Sequence, residues 1–447
     1  MNTSLVQEVC AVGLSAARAA GADGAEVYAV ERRTREVAFE KNDLNLARAD
    51  EELTVGIRVL AGQSFGFVTV NAPERVEEAV RQALVLARVA PPDPYHHLPA
   101  PVRLPQGDLD WDPELATFGL GSMAELASHL ADRVKAGDPR LSIDGIRVSA
   151  EEGAVAIAST TGIEAAHVTS ELSGFVMGMA IDGDEVGSFN YDGAAGNRLQ
   201  QVRPDMLEAM DRFSEKALWA LGARKGETFK GRVLLTPDAV GEILLEPLLG
   251  ALGADNLRKG RSPLQGRLGE TIAAACVTLR DPGRVLGGMA LAPFDREGQA
   301  VHALSLLREG VLEGYFYDAY EARRAGRGST GHGRGGAKGP PVLTPGLIEM
   351  AAGEETAASL EARAGRALVV PRFSGRVEMA TGEFSGVVKG GFLVGAGERV
   401  PVEETMIAGN VYELLRAIEA VSSDRQNIFG TALLPWVLAD GVQVTAG

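Results

Sequence analysis

The chain has 447 residues, 45% of them hydrophobic and 23% charged, which suits two or three soluble globular domains better than one. Its 44 Lys and Arg stand against 60 Asp and Glu, a formal net charge of −16. That balance argues against nucleic acid and anionic membrane as partners, since both need clustered basic residues.

An N-terminal helix is marked by Leu5, Val9, Val12, Leu14 and Ala17, and Gly21 ends it. Strand-like runs follow at Gly24–Arg32 and Arg35–Lys41. Leu53–Leu60 and Phe65–Val70 then form a hairpin that turns at Ala61-Gly62-Gln63-Ser64. A second helix is expected over Pro73–Arg88, with the proline in its first turn. Seven prolines between residues 89 and 114 mark an extended connector, and His96 and His97 lie in it.

A second α+β unit begins with a helix at Met123–Lys135. Strands are expected near Ile143–Glu151, Ala154–Ser159, Gly162–Gly174 and Phe175–Glu185, then a helix at Asp205–Leu221. Lys230–Thr236 reads as a strand, and Thr236-Pro237-Asp238 starts a helix, with Thr236 as its cap. Beyond about residue 270 the chain is rich in strands and turns. Ala325–Gly339 holds seven glycines and reads as a mobile or ligand-adjacent loop. The fold class is therefore α+β: two N-terminal α/β units, then a strand-rich antiparallel C-terminal domain. The expected divisions are 1–90, a connector at 91–114, 115–224 and 225–447.

Common catalytic patterns fail. Gly62-Gln63-Ser64-Phe65-Gly66 matches G-x-S-x-G, but a nucleophile elbow needs a helix after the turn, and strand-like residues stand on both sides. The loop at Lys338 is no Walker loop, because Ala337 precedes the lysine and Gly339 follows it. The histidines, at 96, 97, 129, 167, 302 and 332, show no i, i+4 pair. Cys10 and Cys276 both read as buried small hydrophobes. The N-terminal residues lack the pattern of a signal peptide and no apolar run is long enough to span a membrane, so a cytoplasmic protein is expected.

Several segments, in this order, resemble the TldD/TldE (PmbA) family of metalloproteases. They are Gly24-Ala25-Glu26-Val27-Tyr28, Gly266-Arg267-Leu268-Gly269-Glu270, Phe294-Asp295-Arg296-Glu297-Gly298, Arg327–Gly333, and Thr381-Gly382-Glu383-Phe384-Ser385 with Ile407-Ala408-Gly409-Asn410. The resemblance implies an H-E-x-x-x-H motif on the helix after the first strand of the C-terminal domain, and a late cysteine as third metal ligand. Aligned back from Gly266, that motif falls on Leu245-Glu246-Pro247-Leu248-Leu249-Gly250. Glu246 matches the motif's glutamate, whereas Leu245 and Gly250 replace the metal-binding histidines. No histidine occurs from Asp238 to Glu270, and no cysteine follows Cys276. Catalytic zinc takes three protein ligands, so no metal is expected in this chain. Glu246 then either belongs to a buried packing helix or contacts a partner or peptide.

The resemblance further implies a metal-free TldE/PmbA-like subunit, inactive alone. It would pair with a zinc-bearing TldD-type paralogue as a heterodimer that processes unfolded or modified peptides, including leader-peptide removal. Homodimerisation without that partner is also open. Candidate substrate-binding residues are Ser329, Thr330, Gly331, His332 and Gly333, together with the strand pair around Gly382–Phe392. Peptides would bind there by strand addition. Two other readings stay open: a homodimeric binding or structural protein, and an independent hydrolase built on Ser64, His332 or Asp295.

Overall fold

The computed structural model describes residues 1–447 apart from 42, 107–109, 286–291, 396 and 447; part of the expected connector thus lies outside the described residues. Helix α1 (Ser4–Ala19) buries Val6, Val9, Cys10, Leu14 and Ala17. Leu5 and Val12, expected on the same side, are exposed. Both lie about a third of a turn from the true seam at 100° per residue.

Strands β1 (Gly24–Glu40) and β2 (Asp43–Ala61) are longer than the sequence pattern suggested. The two runs expected before residue 42 are one strand, and β2 begins ten residues before Leu53. The first half of β2 is largely exposed and so lacks apolar alternation, whereas the far half of β1 still buries Val37 and Ala38. Cross-strand pairs join the two strands there, such as Arg33–Glu51 at 2.7 Å and Arg48–Glu36 at 2.8 Å. β3 (Ser64–Val70) completes the expected hairpin, turning at Gly62 with φ 60°. A Cβ on Gly66 would stand 1.9 Å from the Ala83 carbonyl oxygen of α2 (Val76–Val89), so this glycine lets the helix lie flat on the strand.

Past the connector come α3 (Pro113–Thr117), α4 (Leu120–Gly137), β4 (Leu141–Ser159) and β5 (Glu164–Asp182). Four expected strands are therefore two. Gly174 does not break β5; it admits Met206, whose Sδ would lie 2.7 Å from a Cβ there. Short strands β6 (Glu185–Val186) and β7 (Asn190–Gly196) both pair with β5. Helix α5 (Leu199–Trp219) starts six residues before the expected Asp205 and carries Pro204 inside it. Its first amide, Leu199 N–H, donates to the Asp112 carboxylate at 2.8 Å, so a remote residue caps the end.

The sheet order is β3-β2-β1-β4-β5, all antiparallel, and β1 pairs with β4 from Glu26↔Ser159 to Glu40↔Gly145. The stretches on either side of the connector thus share one sheet. One face carries α1 and α2 over one half and α4 and α5 over the other. On the opposite face, Tyr28 and Val30 pack with Val155, Ile157 and Ile163 around Phe294 of the C-terminal region.

The C-terminal region is a mainly antiparallel sheet of 13 described strands. Its central strand β8 (Phe229–Leu235) runs parallel to Ala367–Val370 and antiparallel to Ala432–Thr445. Cys10 is buried as expected, but Cys276 is exposed in a turn where only one side of the chain is covered. Among the described residues no helix is long and apolar enough to cross a membrane.

Candidate functional site

The helix carrying the motif positions leaves β8 at Thr236. The threonine does not cap it; its hydroxyl donates to the Pro371 carbonyl at 2.7 Å. Pro237 occupies the first helical position, as expected. The helix runs through Val240, widens into a π turn over Gly241–Leu245, and continues as Glu246–Leu252. Pro247 stands just after the widened turn. A proline lacks the amide that a regular turn would need, and a π turn is one way to absorb that break. Val240, Ile243, Leu244, Leu248 and Leu252 are buried in the C-terminal core.

One face of this helix lines a cleft of about 590 Å³, within the usual range for ligand sites. Leu245, Glu246, Leu249 and Gly250 all border it, so the motif positions face a cavity. Glu246 is exposed and has no hydrogen-bond or ion-pair partner among the described residues. Leu245 is buried, and a Cβ on Gly250 would lie 3.3 Å from Met379 Cγ. Leucine offers no donor atom and glycine no side chain, so the residues at these positions do not fit a zinc ion. Among the described residues no group of three or more His, Cys, Asp or Glu side chains is placed to hold a metal.

The first turns of the helix carry a charged cluster around Asp238 and Glu242, which also border the cleft. Lys216 Nζ donates to the carboxylates of Asp192, at 2.8 Å, and Asp238. Burial alone would lower its pKa, but the two carboxylates outweigh that and hold it above the ordinary lysine range. Glu242 accepts the Phe373 amide at 2.6 Å. Burial pushes its pKa up to about 7, against that hydrogen bond. Arg372 lies over the Tyr191 ring at 4.8 Å, and Tyr191 also borders the cleft.

Phe373 belongs to the strand Arg372–Val377, which pairs only with Glu383–Lys389 among the described residues. Since the Phe373 amide points to Glu242, strand alternation turns the backbone groups of Gly375 and Val377 to the same side. A second cleft opens there, bordered by Glu242, Glu246, Gly250, Gly375 and Val377. The strands named from the sequence around Gly382–Phe392 are paired on both edges, Glu383–Lys389 with Arg372–Val377 and Thr405–Asn410; among the described residues the free edge beside Glu246 belongs to Arg372–Val377 instead.

Ser329–Gly333 sit elsewhere. None of them borders either cleft. His332 is buried; its Nε2 hydrogen-bonds Asp281 at 3.0 Å and its Nδ1 shares a hydrogen bond with the Thr330 hydroxyl at 2.8 Å. Its ring stands 4.7 Å from Phe316, which lines the first cleft. Asp281 also accepts the Gly346 amide at 3.0 Å, and the His332 carbonyl accepts the Thr344 amide at 3.1 Å. The segment therefore forms a layer behind the cleft wall and is anchored, contrary to the expectation of a mobile loop.

Asp295 accepts the amides of Glu297, Gln299 and Gly333. Next to it, Glu26 of β1 accepts from Arg58 Nη2 and Arg296 Nη1, both at 2.6 Å. Burial alone would raise Glu26, yet the two guanidiniums hold it below the usual carboxylate range. Glu297 and Asp295 are raised, chiefly by burial. These residues lock the N-terminal sheet to the C-terminal region. Ser64 donates to the Ala90 carbonyl at 2.9 Å, His332 bonds Asp281 and Asp295 binds amides, so the three do not form a catalytic chain. Sequence reasoning missed Tyr191, Asp238, Asp255, Leu343–Gly346 and Phe429, which the fold gathers at the cleft from distant segments.

Residues 228–446 match the PmbA/TldA metallopeptidase C-terminal domain, and residues 25–87 match domain 1 of the same family. Metalloprotease PmbA of Escherichia coli O157:H7 is 26% identical over 429 residues, covering 92% of this chain and 91% of that protein. A metalloprotease of Methanothermobacter thermautotrophicus is 24% identical over 410 residues, 90% of this chain and 88% of its own. Among solved structures, TldE from Thermococcus kodakarensis superposes with a TM-score of 0.90 at 22% identity, over 99% of this chain and 100% of that one.

Proposed function

This chain belongs to the PmbA/TldD metallopeptidase family, and within it we propose that it is a metal-free subunit of the TldE/PmbA kind. It pairs with a metal-bearing TldD-type paralogue, in the cytoplasm, and together they process unfolded or modified peptides. Zinc belongs to the partner alone. The observation that carries this reading is the helix Glu246–Leu252 and its preceding turn: it borders an open cleft, yet Leu245 and Gly250 stand at the two histidine positions.

The chain's own residues then bind and guide. An extended peptide adds to the free edge of Arg372–Val377, where Gly375 and Val377 offer backbone donors and acceptors next to Glu246. Backbone pairing is indifferent to sequence, which suits unfolded substrates. Ser329–Gly333 act indirectly, by holding the wall that Thr344 and Gly346 contribute.

Co-expression with a metal-bearing paralogue, followed by size-exclusion chromatography with light scattering and metal analysis of each subunit, tests the proposal. A one-to-one complex with zinc confined to the paralogue is expected. A chain that stays monomeric in both conditions, or one that retains stoichiometric zinc after dialysis against chelator, refutes it.

A further inference from the structure

The cleft beside the motif helix has a chemical preference of its own. Its walls are carbon: Leu245, Leu249, Phe316, Leu343, Ile428 and Phe429 all border it. Phe429 is held at φ 47°, a left-handed conformation that bulky residues rarely adopt. Its ring lies in the space left by Gly193, where a Cβ would stand 2.4 Å from Phe429 Cε1. The fold thus tolerates a strained backbone while keeping an aromatic ring at the cleft.

The charged side chains bordering the cleft are all acidic: Asp238, Glu242, Glu246 and Asp255. Three are engaged within the chain. Asp238 accepts from Lys216, Asp255 pairs with Lys259 at 2.9 Å, and Glu242 accepts the Phe373 amide. Glu246 alone is exposed and unpaired among the described residues. Tyr191 stacks under Arg372 at 4.8 Å, so that guanidinium is drawn to the aromatic ring; Arg372 is not among the residues bordering the cleft.

We infer that this cleft selects peptide segments in which a large apolar side chain stands next to lysine or arginine, the apolar group filling the carbon-lined cavity and the cation pairing with Glu246. The inference rests on the peptide-guiding role proposed above and adds a substrate class to it. A cavity of about 590 Å³ has room for a large side chain together with the residues beside it. Burial of the apolar group supplies affinity. The single exposed carboxylate supplies preference, worth on the order of fivefold between a cationic and an anionic neighbour.

Fluorescence polarisation of labelled tetrapeptides on the full chain tests it, both alone and in complex with the metal-bearing paralogue. The probes carry phenylalanine–lysine, phenylalanine–glutamate or glycine–lysine at the centre. The first is expected to bind about fivefold tighter than the second, with little binding by the third. Glu246→Lys, an exposed change that leaves folding intact, should reverse the order of the first two. Leu249→Asp should weaken both. Equal affinity for the charged pair, or an order unchanged by Glu246→Lys, overturns the inference. So does binding that vanishes on complex formation, since the cleft is then the partner's seat. Complex assembly and peptide turnover are read separately: intact turnover without the preference sinks this inference alone, and failure to assemble sinks the proposed function.

Discussion

Removing the Glu26 carboxylate with Glu26→Ala should destabilise the protein by about 3–5 kcal/mol. Glu26 is fully buried on β1 and receives Arg58 and Arg296, each at 2.6 Å. After the change Arg58 keeps Glu297, at a longer 3.5 Å, but Arg296 loses the one carboxylate it pairs with among the described residues while its side chain stays 1% exposed. What remains for Arg296 is the face of Tyr28, 4.1 Å from its guanidinium carbon, and a weak bond to the Gly336 carbonyl at 3.4 Å. An uncompensated buried cation is the origin of the loss, and a domain's whole stability is only about 5–15 kcal/mol. Arg296 lies in the C-terminal region and Glu26 in the N-terminal sheet, so the two parts should also unfold less cooperatively. Urea titration at neutral pH, followed by tryptophan fluorescence, gives the midpoint and slope. The double change Glu26→Leu, Arg296→Met should recover much of the loss, because it removes the stranded cation along with the bond and leaves Arg58 to Glu297. A Glu26→Ala effect under about 1 kcal/mol, or a double variant less stable than the single one, refutes the electrostatic account.

Glu246→Gln should leave turnover by the reconstituted complex within about tenfold of wild type, whereas loss of a general base costs roughly 10²–10⁴-fold; steady-state assays decide, and a hundredfold drop with assembly intact makes the residue catalytic. Glu242→Gln should flatten the pH dependence of stability. The folded pKa of Glu242, about 7, is above its ordinary 4.5, so its contribution is complete below the unfolded value and is lost as pH rises through about 7. Melting temperatures between pH 5 and 8 measure this, and an unchanged slope contradicts it. His332→Ala should lower stability by roughly 1–3 kcal/mol, because the buried Asp281 carboxylate loses the imidazole and keeps the Gly283 and Gly346 amides, and thermal melting reads it. A neutral result there would restore the mobile-loop view of this glycine-rich segment.

What the amino-acid order determined was local or chemical. Alternation in Leu53–Val70 around Gly62 gave the hairpin, and Pro237 at the head of an apolar run gave the motif helix. The donor inventory needed no fold at all, since no histidine from 238 to 270 and no cysteine after 276 holds in any conformation. Tertiary structure decided the rest. The first half of β2 has no apolar rhythm because solvent bathes it, so only pairing reveals it as strand. Ser329–Gly333 look like a loop for binding because glycine is dense there, yet a Cβ on Gly331 would stand 2.5 Å from the Ala300 carbonyl oxygen, and close packing explains that glycine better than mobility does. The cleft joins Tyr191, Asp238, Phe316 and Phe429, which are far apart in the chain. Periodicity acts over a few neighbouring residues, whereas a cleft and the raised pKa of Glu242 arise from groups that only folding brings within reach of each other.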